Sequence, residues 1–269
     1  MREVEYGRAW IAAIAIVGLL GLGLGGCDKL ARMPTAPISL DTIQGEDEEP
    51  KPGSVRPKKG PDLCQTSVRF DRTAFRNPTR IDNPWSPLIP GTQYALVGRS
   101  NRGGGLRPHR VIFTVTDVTK VIDGIETVVL WDRDFNEGVL AEVELAFFAQ
   151  DDNGNIWGLG EYPEEFDFFS GEFLGAPNTW ISGLEGTVPG TLMLGNLRDG
   201  KAYYSQGYAP SVEFLDCARV LTTSAKTCVP AGCFSGVLVI DEYAPFDPGG
   251  GNQRKSYARG VGNIAVGAV

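Results

Sequence analysis

The chain has 269 residues, a net charge of −8 and one histidine. That acidic balance excludes a nucleic-acid partner, because a phosphate backbone needs a basic stripe. A lone imidazole leaves little room for histidine-based catalysis or a zinc cluster, and 35 glycines with 18 prolines leave few stretches in which a helix interior would not be penalised.

The first element in chain order is a leader. Arg2 and Arg8, with Glu3 and Glu5, precede the uncharged apolar run "IAAIAIVGLLGLGLGG". That run is short for a bilayer core of about 30 Å and has the layout of a signal peptide. It ends in Leu24-Gly25-Gly26-Cys27, which resembles the lipobox of bacterial lipoproteins. The resemblance implies cleavage after residue 26, acylation of the Cys27 thiol, and attachment by lipid to a membrane of the bacterial cell envelope. Residues 27–63 then read as a tether. "RMPTAPISLDTIQGEDEEPKPGSVRPKKGPD" is rich in proline and in charges of both signs, with too little apolar surface to offset the entropy of ordering it.

Residues 64–269 form the predicted folded domain, long enough to bury a real core. Apart from Cys27 it holds four cysteines, Cys64, Cys217, Cys228 and Cys233. An even number in an exported chain reads as two disulfides. Three pairings are open. Cys64–Cys217 with Cys228–Cys233 is favoured, since "CVPAGC" closes a short loop and the other bond pins the domain's N-terminal edge.

The patterning predicts an all-β domain, a curved antiparallel meander closed or half-closed into a barrel. "VIFTVTDVTKVIDGIETVVLWDRDF" is rich in β-branched residues and breaks at Asp123-Gly124, a hairpin turn signal. In "VLAEVELAFF", Val143, Leu145 and Phe147 alternate with Glu142 and Glu144, so the acids are expected on the solvent face. "GVLVIDEY" and "KSYARGVGNIAVGAV" supply later strands. Between residues 171 and 201 the pattern lapses into a glycine-rich stretch that keeps its apolar residues. It is expected to pack across a sheet edge or over a barrel mouth as a covering loop. If it covers a ligand, Trp180, Leu184, Leu192 and Met193 are the candidate contacts.

"AQDDNGNIWGLGE" raises the question of calcium. With Gly154 at position six of an EF-hand-type loop, Asp151 and Asn153 fall at three and five. Position one is then Ala149, and position twelve is Gly160 rather than a bidentate acid. The strict motif fails. Asn153-Gly154 between strand-like flanks predicts a hairpin tip instead, with Asp151, Asp152 and Asn155 kept as a candidate calcium site of another kind.

Three stretches in order, "NPWSPLIPGTQYAL" from Asn83, "AQDDNGNIWGLGE" and "YARGVGNI" from Tyr257, resemble a group of uncharacterised bacterial secreted proteins and lipoproteins. That group has an N-P-aromatic-x-P-L-x-P-G opening, an A-Q-D-x-x-G-N-V-W-Y-x-G-E hairpin and a Y-Y-A-x-G-V-G ending. Gly158 stands where the group carries an aromatic. More loosely, the chain resembles exported proteins with a curved sheet of the LolA or lipocalin sort. The resemblance implies a fold and brings no catalytic residues.

Catalytic candidates are few. His109 sits in "GGGLRPHRV", read as a surface or strand-start position, and no G-x-S-x-G occurs. Asp132 with Asp134, and Glu142 with Glu144, each lie two apart on a strand and share a face, the minimum for paired-carboxylate chemistry. "EYPEEFDFFSGEF" mixes acids and aromatics and could border a sugar or cation site. The expectation is a non-enzymatic, membrane-tethered β domain without an assigned cofactor. It would bind a small apolar or amphipathic ligand or an envelope protein. The rival is an envelope hydrolase built on acids, with or without calcium.

Overall fold

The structure is a computed structural model that describes residues 64–66, 68–101, 105–197, 200, 202–247 and 252–268. The leader, Cys27 and the tether lie outside these residues. Within them the chain is strand, turn and loop with two single-turn 3-10 helices, Arg72–Ala74 and Pro210–Val212, and no α-helix.

Four long hairpin-linked strands come first: β1 (Gln93–Asn101), β2 (Leu106–Ile122), β3 (Ile125–Asn136) and β4 (Val139–Gln150). β5 (Ile156–Phe166) follows, then β6 (Phe173–Gly175), β7 (Trp180–Ile181) and β8 (Val188–Met193). The wall continues through β9 (Tyr204–Ala209), β10 (Phe214–Val229), β11 (Gly232–Tyr243), β12 (Gln253–Ala258) and β13 (Gly262–Ala268). The sheet order is β1-β2-β3-β4-β5-β8-β9-β10-β11-β12-β13, and every pairing between these strands is antiparallel. This is an eleven-stranded barrel left open along one seam, where β1 and β13 approach without pairing.

The turns follow their residues. Asp123-Gly124 closes β2–β3 with both residues at positive φ, as a two-residue hairpin twisting with its strands requires. At the tip of β4–β5 only Gly154 takes positive φ. The Gly154 amide donates to the Asp151 carbonyl at 2.9 Å, so the turn starts one residue earlier than the Asn-Gly pair implied.

The segment from 171 to 201 does not stand over the sheet. It supplies β6, β7 and β8, which pair in succession along one edge of β5: β8 at Ile156–Gly158, β7 at Gly160–Glu161, β6 at Glu165–Phe166. The glycines permit this close approach. A Cβ on Gly160 would fall 2.8 Å from both Ile181 Cδ1 and the Trp180 carbonyl oxygen.

The barrel has two unlike ends. One is closed by the segment from Ile81 to Gly91, whose Ile81, Trp85 and Leu88 are buried against Val115, Val128, Leu130, Phe148, Ile156 and Ile240. The three stretches behind the family resemblance meet at this end. Asn83 is 2 % exposed. Its Nδ2 donates to the Gly154 carbonyl at 2.8 Å, and its Oδ1 accepts from the Trp85 amide at 2.9 Å. From the chain's last hairpin, the Gly260 amide donates to the Pro84 carbonyl at 2.7 Å, and the Arg259 guanidinium lies 4.3 Å from the Trp85 ring centre. The space at Gly158 faces the rings of Phe148 and Trp180, so these aromatics stand where a side chain at 158 would project.

A second core lies outside the wall. Trp157, Phe147, Val129 and Leu159 are covered by the strand-free segment carrying Val68, Phe70 and Phe75. The Phe70 and Phe75 rings meet Trp157 edge-on at 5.0 and 6.4 Å. Burying side chains of this size contributes roughly 1.5–3 kcal/mol each. This cover decides the facing of β4. Leu145 and Phe147 point out into the second core, whereas Ala146 and Phe148 point into the barrel. By the strand alternation Glu142 and Glu144 point inward too, which corrects the expectation that they face solvent.

Both favoured disulfides are present. Cys64–Cys217 fastens the start of the domain to β10, and Cys228–Cys233 ties the β10–β11 tip, with Cα atoms 5.5 and 4.0 Å apart.

Candidate ligand-binding lumen

Eight strands make a barrel just wide enough for side chains to fill, and a wider ring leaves interior space. Here the apolar core occupies the closed half, and acids, Lys255 and the stacked rings of Trp180 and Phe214 lie toward the other end of the barrel, its mouth. The hairpin at Glu137-Gly138 generates the densest part. Its register sets Asp132 opposite Glu144 and Asp134 opposite Glu142. Side-chain oxygens of Asp132, Glu142 and Glu144 all lie within 4.8 Å of one another. Glu161 joins them from β5, beside inward-facing Ala146, with Oε2 accepting from Trp180 Nε1 at 2.8 Å.

Across the lumen stand Asp216 of β10, Glu242 of β11 and Lys255 of β12. Lys255 Nζ pairs with Glu242 Oε2 at 2.6 Å, and Glu242 Oε1 accepts from Gln206 Nε2 at 3.1 Å. Two buried acceptors, Tyr204 Oη and Gln253 Oε1, find no hydrogen-bond partner among the described residues.

Water reaches these carboxylates only within a wall of protein. Removal from bulk water and mutual repulsion therefore both favour their protonated forms. Burial, then the charges of Glu142, Asp134 and Glu161, push Asp132 well above the usual carboxylate range. Burial, then Glu161, Asp132 and Glu142, do the same to Glu144. Glu161 is raised by burial against the opposing pull of the Trp180 hydrogen bond and Lys255. Asp216 is pushed up to about 7, by burial first and Glu242 next. Burial alone would favour a neutral amine at Lys255, but Glu242 and its neighbours override it and hold the pKa above the ordinary lysine value. Lys255 is thus already paired with Glu242, and Asp132, Glu144 and Glu161 facing it have their protonated forms favoured.

His109 is not a surface residue. It is 6 % exposed, and its Nε2 lies 2.7 Å from Asp134 Oδ1. Placed beside the acid arc, it is held by that carboxylate rather than presented to a nucleophile.

The other sequence candidates separate. Trp180 is buried, bonds Glu161 and stacks on Phe214 at a centroid distance of 5.1 Å. Met193 is fully buried in the closed half and Leu192 packs against the same core, while Leu184 is 59 % exposed. Of the four, Trp180 alone touches the polar lining. Asp151, Asp152 and Asn155 do not converge on a cation. The Asp151 carboxylate accepts from the amides of Asn153 and Asn155, both at 2.9 Å. It also accepts from Asn155 Nδ2 at 2.8 Å and Trp157 Nε1 at 2.9 Å. Asp152 is paired with Arg76, and Asn155 Oδ1 accepts from the Gly195 amide. Oxygens committed to N–H donors leave no coordination shell for calcium; this constellation locks the turn.

Comparisons with protein-family models, with curated proteins and with solved structures return no match.

Proposed function

We propose that this chain is a lipid-anchored envelope protein whose barrel is a non-enzymatic binding module for an amphipathic ligand with a cationic head. The leader and Cys27 support export and anchoring. The observation that carries the ligand class is the set Asp132, Glu144 and Glu161 on the inner wall of the barrel, raised by burial and mutual repulsion, while Lys255 across from them is engaged by Glu242. A positive head there would relieve the repulsion among the carboxylates and release protons as it binds. An apolar tail would lie toward the mouth, where Leu106, Val139 and Phe173 are exposed.

Two measurements test this reading. Native mass spectrometry of protein drawn from its host membrane looks for a co-purifying amine. Hexyl- and octylammonium are then titrated at pH 8 while thermal unfolding is followed. The midpoint should rise with chain length, and Asp132→Asn/Glu144→Gln should remove the rise. A parent protein indifferent to both amines sinks the ligand class.

The raised protonation of Glu144 and Asp132 also favours a second reading, an acid-dependent hydrolase, because such groups can donate protons near neutral pH. Glycan hydrolysis that disappears in Glu144→Gln, with folding intact, would select it.

A further inference from the structure

We propose that the open mouth of the barrel faces the lipid bilayer, with the tip of the β5–β6 hairpin and Phe246 resting among zwitterionic headgroups. This rests on the reading of the chain as lipid-anchored. The described residues expose three phenylalanines, Phe169 at 92 %, Phe173 at 54 % and Phe246 at 42 %. Exposed aliphatic residues occur at both ends of the barrel. These three phenylalanines do not: two lie at the mouth end of β5 and the third in the connection that leaves β11 at the same end.

The hairpin tip is built to hold its rings out. Asp167 Oδ1 accepts from the amides of Phe169 and Ser170 at 3.1 and 2.7 Å, and from the Ser170 hydroxyl at 2.7 Å. The Asp167 amide donates to the Glu172 carbonyl, and the Gly171 amide to the Asp167 carbonyl, both at 2.8 Å. Phe168 and Phe169 sit edge to face at 5.3 Å, and Phe166 lies 5.6 Å from Phe173. A preorganised display of this kind loses little side-chain entropy on entering an interface, and aromatic rings favour the headgroup level.

Cys27 and Cys64 are 37 residues apart in sequence, a covalent reach of up to about 120 Å, so an anchored chain can bring either end of the barrel to the surface, and the exposed rings select the mouth. Glu164, Glu172 and Glu213 around the rim argue against an anionic surface, since like charges repel within a Debye length of about 10 Å.

The test uses the full lipidated chain in phosphatidylcholine vesicles, with Phe169→Trp at the mouth and Val121→Trp at the opposite end, where Val121 is 67 % exposed. Quenching by dibrominated phosphatidylcholine is read as the increment over the parent protein. The Phe169→Trp increment should be quenched roughly threefold or more over Val121→Trp, as expected for a ring at headgroup depth. Replacing part of the lipid by phosphatidylglycerol should weaken it. Flotation of the same samples reads the anchor separately: a chain that does not float refutes the lipid-anchor reading. The two variants are then compared on vesicles that capture an N-terminal hexahistidine tag through nickel-chelating lipid. Equal quenching at the two positions, stronger quenching at 121, or none at either overturns the proposal; the last leaves the rim for a protein partner.

Discussion

Replacing Asp151 by alanine tests the turn lock directly. The substitution removes one carboxylate that accepts four N–H groups. Three of these donors belong to buried residues: the amide and Nδ2 of Asn155, which is 8 % exposed, and Nε1 of Trp157, which is 1 % exposed. The fourth, the Asn153 amide, has more freedom to find water. Leaving a buried donor unsatisfied costs roughly 1–3 kcal/mol, more when its lost partner was charged. Three such donors give an expected loss of about 6 kcal/mol. For a domain of this size that lowers the unfolding midpoint by about 18 °C, at roughly 2–4 °C per kcal/mol. Urea unfolding followed by tryptophan fluorescence measures the loss, with and without calcium. A loss under about 1 kcal/mol, or a parent stabilised by calcium while Asp151→Ala is not, would refute the assignment of this carboxylate to the turn.

Two further outcomes follow from the wall and its lining. Asp216 has its folded-state pKa raised to about 7 from an ordinary 3.8, so the folded state holds this proton more tightly than the unfolded chain. Its contribution is complete below about pH 4 and is lost as pH rises through 7, at up to roughly 1.4 kcal/mol per unit. Chemical denaturation between pH 4.5 and 8 should show stability falling with pH, and Asp216→Asn should flatten the fall; stability that climbs over this range contradicts the buried placement. Gly190→Ala puts a methyl onto the Gln206 carbonyl carbon and the Gly207 nitrogen across the β8–β9 pairing. Because those atoms are backbone, the strands must part, and a loss of about 3 kcal/mol or more is expected. Unchanged thermal stability in that variant would mean the two strands are not in this register.

The strand class was legible because β-branched residues, alternation and turn signals all point one way. The favoured cysteine pairing was legible from the short 228–233 loop. The facing of β4 was not, since period-two alternation separates two faces without saying which is inside. The decision came from residues 68–75, which lie far away in sequence and bury Leu145 and Phe147 from outside. The acid lumen was missed for a related reason: its members come from five strands, and each pair looked like an ordinary wet face. Counting back from the Glu137-Gly138 turn would set Asp132 against Val143 and Asp134 against Ala141. A bulge between Asp134 and Phe135 shifts the ladder by one residue and brings Asp132 opposite Glu144 and Asp134 opposite Glu142, like charges that a ladder disfavours. Nothing in the local sequence announces that bulge, so the facing of the acids had to come from the fold. His109 was misread as exposed because its partner Asp134 lies on the next strand.

The knot at the closed end sets the order of assembly. Pro84 and Trp85 near the beginning of the domain are held by Gly260 and Arg259 near its finish, so the stopper cannot seat until almost the whole polypeptide is available. Contacts so distant along the chain make for slow maturation. A chain cut short before the last hairpin would keep its early ladders and expose Trp85, giving quality-control proteases a recognisable mark of incompleteness.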